Sequence, residues 1–209
     1  MPPILTTLLV LAQQSLIAVV LSLQQPTLPG AYPRPGTTKL FENDRIIVWN
    51  ISWLKQTYPL HRHPYDLVGV YYEPGDRMIV STEGNRRPVS TKAGEIAFQP
   101  RGVTHIEEGA SDPPLRAVFV EIKDEAPSGA TETAADGFRP GTARQLLDNE
   151  RARAWEYNPN AGAPPHRHAF DAVVVALKGN TPQVTFVKRG TMHADENSGG
   201  DHTWVFEIK

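Results

Sequence analysis

The 209-residue sequence contains no cysteine, so it can form no disulfide framework, thiolate metal site or thiol nucleophile. It also lacks an excess of charge. With 21 basic against 23 acidic residues and a formal net charge of −2, nothing electrostatic points to a nucleic-acid partner. No G-x-S-x-G, G-x-x-x-x-G-K-[ST] or G-x-G-x-x-G is present, which leaves serine hydrolysis and nucleotide binding without a signal. Any metal must therefore sit on His, Asp or Glu. What the chain has in quantity is punctuation: 16 glycines and 19 prolines imply many turns between short elements.

The first charged side chain is Arg34. Residues 4–23 form an uncharged, mainly apolar stretch of 20 residues, which reads as an export signal or membrane anchor over residues 1–23. On that reading the protein is secreted, periplasmic or anchored to the envelope, with membrane anchoring through residues 4–23. A core helix and a mis-called start are the alternatives, because no positive region precedes the stretch. Residues 24–37 are rich in proline and read as an extended linker.

The chain resembles itself. Glu42-Asn43-Asp44-Arg45 followed by Trp49 recurs as Asp148-Asn149-Glu150-Arg151 followed by Trp155, and His61-Arg62-His63-x-x-Asp66 recurs as His166-Arg167-His168-x-x-Asp171. Gly102-x-x-His105 recurs as Gly190-x-x-His193, and Glu121-Ile122-Lys123 as Glu207-Ile208-Lys209. Matches in one order imply two copies of a unit, 38–123 and 147–209, joined by a polar linker over 124–146 with one helical turn before the second unit. The offset falls from 105 to 88 inside the second copy, a loss of 17 residues. Two short strands and their turn account for such a loss. Segments such as Leu67 to Tyr72 and Leu115 to Ile122 are β-branched or aromatic and bounded by turns, so the units read as all-β sandwiches or barrels.

Six of the seven histidines fall in the repeated pattern. Residues i and i+2 of a strand share a face. His61 and His63 therefore present two imidazoles together, as do His166 and His168, and His105 or His193 supplies a third if the sheet closes. Three neutral imidazoles suit a divalent Fe, Mn, Ni, Cu or Zn ion with open positions. The plainer reading is polar residues at a barrel mouth. By the same parity Glu107 points inward beside His105, and Asp195 beside His193. Glu107 is then a ligand or an acid/base group, or else part of a solvated turn. Tyr65 and Phe170 face inward as pocket wall or core, while Trp49 and Trp155 read as core or interface rather than ligand-stacking residues. Asp66 reads as a hydrogen-bonding or ion-pair residue, and reaches a metal only through a bulge at Pro64.

These residues resemble the two motifs of the cupin superfamily, and the whole chain resembles a two-domain bicupin. Gly94, Pro100, Gly102 and His105 match the second motif, and His61 and His63 the histidines of the first; the second unit matches at Gly162, His166, His168, Gly179, Gly190, His193 and Asn197. The resemblance implies tandem double-stranded β-helix (jelly-roll) domains, the second one shortened, each with a metal or small-molecule site. The glutamate of the first motif is missing from both copies, which leaves three-histidine sites without a carboxylate ligand.

Two functions follow as expectations. One is a metal-dependent enzyme, such as a dioxygenase or isomerase, acting on a small organic molecule through the six histidines with Glu107 and Tyr65 in catalytic roles. The other is a non-catalytic cupin that captures a small ligand or metal at the envelope. The second unit can also serve as a structural partner or dimerisation element, with the Phe119 and Phe206 strands supplying apolar contacts, and a homodimer is left open.

Overall fold

A computed structural model describes residues 27–123, 142–158, 165–194 and 201–209. The expected signal or anchor at 1–23, Gly162, Asp195 and Asn197 lie outside the described residues. Among the described residues no helix is long and apolar enough to cross a membrane.

The first unit contains nine strands: β1 (Thr37–Glu42), β2 (Ile46–Ser52), β3 (Thr57–Arg62), β4 (Asp66–Glu73), β5 (Gly75–Val80), β6 (Arg86–Thr91), β7 (Ile96–Gln99), β8 (Thr104–Gly109) and β9 (Arg116–Ile122). They form a five-stranded sheet in the order β1-β2-β9-β4-β7 and a four-stranded sheet in the order β3-β8-β5-β6. All pairings between these strands are antiparallel. This is the two-sheet jelly roll expected from the sequence.

The second unit contains β10 (Ala143–Asp148), β11 (Ala152–Tyr157), β12 (Asp171–Lys178), β13 (Thr181–Val187) and β14 (His202–Ile208) in one sheet, ordered β10-β11-β14-β12-β13. Its connectivity matches that of the first five-stranded sheet, and even the register shift of β1–β2 recurs in β10–β11. In the first unit β5 and β6 separate β4 from β7. In the second, β12 turns straight into β13 through Gly179-Asn180, with Gly179 at φ +57°, a sequence suited to a two-residue hairpin. Among the described residues the counterpart of the β3–β8 pairing is one bridge between His166 and His193. Of the linker expected over 124–146, residues 124–141, with any helical turn there, lie outside the described residues, and 143–146 belong to β10. Ala143, Arg144 and Gln145 have helical propensity, but cross-strand pairing with Tyr157, Glu156 and Trp155 wins.

Alternation along the strands sorts the core into layers. Trp49, Ile51, Trp53, Leu67, Tyr71, Ala117 and Phe119 fill the first unit. Their neighbours Val48, Val68, Val70, Val118 and Val120 point the other way and pack against Ala154, Val173, Val175, Phe206 and Ile208 of the second unit. Phe206 thus joins the units as expected. The Phe119 strand joins them too, through Val118 and Val120, while Phe119 itself faces inward, 5.2 Å from Tyr71 and 5.8 Å from Trp53 between ring centres, because it lies one residue out of phase with those valines.

The repeated motifs frame this contact. Asn43 accepts the Arg45 and Ile46 N–H groups through its side chain, and Asn149 does the same for Arg151 and Ala152. Each turn presents its arginine to the other unit. Arg151 Nε meets Asp66 Oδ2 at 2.8 Å, and Arg45 Nη1 meets Asp171 Oδ2 at 2.6 Å. Each aspartate also accepts a backbone N–H within its own unit, from Arg101 and Arg189 respectively. Asp66 and Asp171 therefore join the two units and lie outside both histidine trios.

The two ion pairs differ in burial. The Arg151–Asp66 side chains are each 10% exposed, against 25% and 13% for Arg45 and Asp171. Stranding one member of a buried pair is the costlier change, whereas exposed pairs contribute little. Asp66→Ala is expected to lower unfolding stability by about 3 kcal/mol, and Asp171→Ala by about 1 kcal/mol. Urea denaturation of the two variants checks the order.

Candidate metal centres

His61, next to last on β3, lies beside His105 on β8, and the two residues are direct cross-strand partners. His63 follows β3 with its N–H on the Val103 carbonyl. The three rings converge with centroids 4.8–5.2 Å apart, and one nitrogen of each lies within 4.8 Å of the others. All three residues are buried. His61 Nδ1 lies 2.9 Å from the Pro59 carbonyl. A carbonyl only accepts, so Nδ1 carries the proton and the lone pair rests on Nε2. That nitrogen is buried and without a partner.

Burial, reinforced by the neighbouring imidazoles, pushes His63 down to about 3. Burial also takes His105 down to about 4, although Glu107 opposes it, and lowers His61. The trio is therefore neutral at physiological pH, the form that ligates metal.

The second trio is His166, His168 and His193, again with ligand atoms within 4.8 Å. His166 and His193 exchange backbone hydrogen bonds of 2.9 and 3.1 Å. His168 Nδ1 lies 3.1 Å from Glu207 Oε1, and Trp155 Nε1 donates to the other oxygen at 3.1 Å. A carboxylate in that place fixes the ring and leaves Nε2 for a metal. The first unit differs here. Glu121 takes the Trp49 N–H at 2.8 Å, yet His63 Nδ1 has no partner. The Tyr32 ring packs against both Trp49 and His63.

Glu107 lies on the same face of β8 as His105, with Oε1 3.8 Å from His105 Nε2. It is 4% exposed and accepts from Arg34 Nη1 at 2.7 Å and Trp53 Nε1 at 3.0 Å. Burial drives its carboxyl upward, but Arg34 and Arg77 outweigh that and hold it down at about 2. It is an ionised buried residue, not a solvated turn. Tyr65 is half-buried and lines a groove of about 560 Å³ with Tyr32, Trp49 and Glu121.

Arg34 and Arg77 were not evident in the sequence as site residues. Arg34 belongs to the segment expected to be a linker, whose described part is anchored. Gly30 bridges Arg62, Ala31 is 2% exposed, and Arg34 lies over Tyr58 with its guanidinium 3.9 Å from the ring centre. Gly36 secures the turn: at φ +84° its carbonyl accepts the Ser52 N–H, and a Cβ would come 2.3 Å from the Ser52 carbonyl oxygen. The one available signal was an arginine between two prolines in an otherwise uncharged stretch.

No protein-family model and no curated protein matches the chain. Solved structures do. It is similar to AerE from Microcystis aeruginosa, at 12% identity over 88% of this chain and 99% of that one, with a TM-score of 0.53. A cupin 2 conserved barrel domain protein from Leptotrichia buccalis matches at 13% identity over 88% and 92%, with a TM-score of 0.50. A cupin domain from Bordetella pertussis Tohama I matches at 27% identity over 47% of this chain and 98% of that one, with a TM-score of 0.39. The chain has the fold of the cupin superfamily, and its two histidine trios are compatible with metal sites.

Burial raises the Glu121 carboxyl to about 7, against smaller opposing effects of the Trp49 hydrogen bond and Lys123. Its native value exceeds its unfolded value, so the native state holds the extra proton and stability falls as pH rises from about 4.5 to 7. The loss is on the order of 2–3 kcal/mol. Glu121→Gln, which still accepts from Trp49, should flatten that part of the stability–pH curve. Thermal unfolding at pH 5 and pH 8 reads the difference.

Proposed function

We propose that the first unit is a metal-dependent enzyme site for a small organic molecule, with His61, His63 and His105 holding one divalent ion. The observation that carries this is the convergence of three buried, neutral imidazoles, with His61 Nε2 left without any other partner. Fe, Mn, Ni, Cu and Zn all suit imidazole donors. When bound, such an ion supplies Lewis acidity and orients a ligand, and iron would add dioxygen chemistry.

The chain's own residues then have distinct tasks. The Pro59 carbonyl fixes the tautomer of His61. Tyr58, Trp53, Leu67 and Phe119 keep the interior apolar, which excludes water and strengthens electrostatic interactions inside. Glu107 stays ionised across the physiological range. A group held at about 2 is a weak base near neutrality, so its task is to anchor Arg34 and accept hydrogen bonds beside His105. Tyr65 contributes to the wall of the neighbouring groove.

The second reading, a non-catalytic module that captures a metal or small ligand, is favoured for the second unit. There the described strands form one sheet, and no described residue supplies a counterpart of Glu107 with its arginines. Export to the envelope belongs to this proposal and rests on residues 4–23.

Elemental analysis of purified protein tests the metal. The parent should hold stoichiometric Fe, Mn, Ni, Cu or Zn, and His61→Ala should lose the first unit's share; a parent with none refutes the reading. Because His63 and His105 titrate far below the ordinary 6.5, protons should compete for the first site only below about pH 5. Metal release on acidification at the pH of an ordinary histidine would contradict the described burial. An aerobic oxygen-uptake screen of the iron-loaded protein then separates catalysis from capture.

A further inference from the structure

A cavity of about 300 Å³ opens beside the first trio, lined in part by Arg77, Arg87, Gln99, Thr104, His105 and Glu107. Charge is out of balance there. Arg34 makes a direct ion pair with Glu107 at 2.7 Å, whereas Arg77 approaches the same carboxylate no closer than 3.7 Å. That is beyond hydrogen-bonding distance. One carboxylate thus faces two largely buried guanidiniums, and Arg87 adds a third positive charge at the exposed side.

The donors are unmatched as well. Arg77 Nε and Gln99 Nε2 are buried and have no hydrogen-bond partner. A guanidinium offers only N–H groups, and a buried donor left unpaired costs free energy. Arg77 is also fixed in place, with its guanidinium 5.0 Å from the centre of the Tyr71 ring and 5.1 Å from that of Trp53. A planar cation held over aromatic faces and hydrogen-bonded to Tyr71, with its Nε–H unpaired beside a cavity, is preorganised for a planar, two-oxygen anion.

We propose that the ligand of the first unit is a small organic acid whose carboxylate pairs with Arg77 and takes the Gln99 side-chain N–H, next to His105. The assignment rests on the metal reading above for the acid's proximity to an ion, but the anion site is built from Arg77 and Gln99 and stands apart from the trio. A cavity of about 300 Å³, some ten times the ~30 Å³ share of one water, has room for an acid of a few carbons. Arg34 is a positioning residue: it neutralises Glu107 and so leaves the Arg77 charge for the ligand.

Calorimetric titration of the full chain, metal-free and zinc-loaded, with malonate, malonamide and inorganic phosphate tests the assignment. Malonate should bind at least about tenfold more tightly than its uncharged amide, and more tightly than phosphate. Arg77→Gln should lose that preference while retaining the parent's zinc stoichiometry. Equal binding of malonate and malonamide, phosphate binding as tight as malonate, or an unchanged preference in Arg77→Gln would overturn it. Should that variant fail to fold, phenylglyoxal labelling of the parent decides: malonate should protect Arg77, malonamide should not, and absence of protection overturns the proposal. Zinc stoichiometry in the parent and in His61→Ala is read separately, so a failed metal site and a failed anion site give different results.

Discussion

The constraint on which everything else depends is the burial of one sheet face against another. Among the described residues the second unit forms a single sheet with apolar side chains on both faces, among them Val173, Val175 and Phe206 on one and Ala172, Val174 and Val205 on the other. One sheet cannot bury two apolar faces unaided. The outer face of the first unit's five-stranded sheet covers one of them, and that sheet gains a second buried face in return. β4, β9, β12 and β14 are consequently buried nearly end to end. The reciprocal Asp66–Arg151 and Asp171–Arg45 pairs fix the alignment at the ends of the strands, and the stretched apolar alternation fixes the rest.

The histidine trios inherit their positions from this frame, yet their surroundings have diverged. In the second unit Glu207 ties together Trp155 and His168. In the first, Glu121 keeps only its tryptophan, and Tyr32 from the amino-terminal arm packs beside His63. The first unit alone, among the described residues, has a carboxylate beside its third histidine with arginines from two separate segments. The electrostatic result is large. Burial raises both Glu107 and Glu121, but the guanidiniums reverse the effect for Glu107 and only weak opposition acts on Glu121, so two buried carboxyls settle at about 2 and about 7. Environment, not residue type, separates their roles.

Much of the fold was legible because its signals are local. β-branched and aromatic composition between turn residues marks Leu67 to Tyr72 and Leu115 to Ile122 as strands, and recurrence of H-x-H and G-x-x-H marks the trios. The shortened second copy corresponds to strands β5 and β6, which separate β4 from β7 in the first unit and have no counterpart between β12 and β13. Parity placed Glu107 inward, and the structure finds it there. Local preference gives way to pairing at Ala143 to Gln145, helix formers held as strand against β11, and the direction in which Phe119 packs carries no local signal because its neighbours Val118 and Val120 are equally apolar.

By itself the sequence determined the strand class, the exclusion of thiol chemistry and the identity of the imidazoles, since each depends on composition or on spacing within a few residues. Only the tertiary structure decided that Arg34 reaches Glu107 across 73 positions, that Arg77 stays beyond hydrogen-bonding distance of it, and that Asp66 serves the junction between units. Those outcomes turn on distances between segments far apart in the chain, and a linear pattern carries no record of which side chains meet once water has been removed from between them.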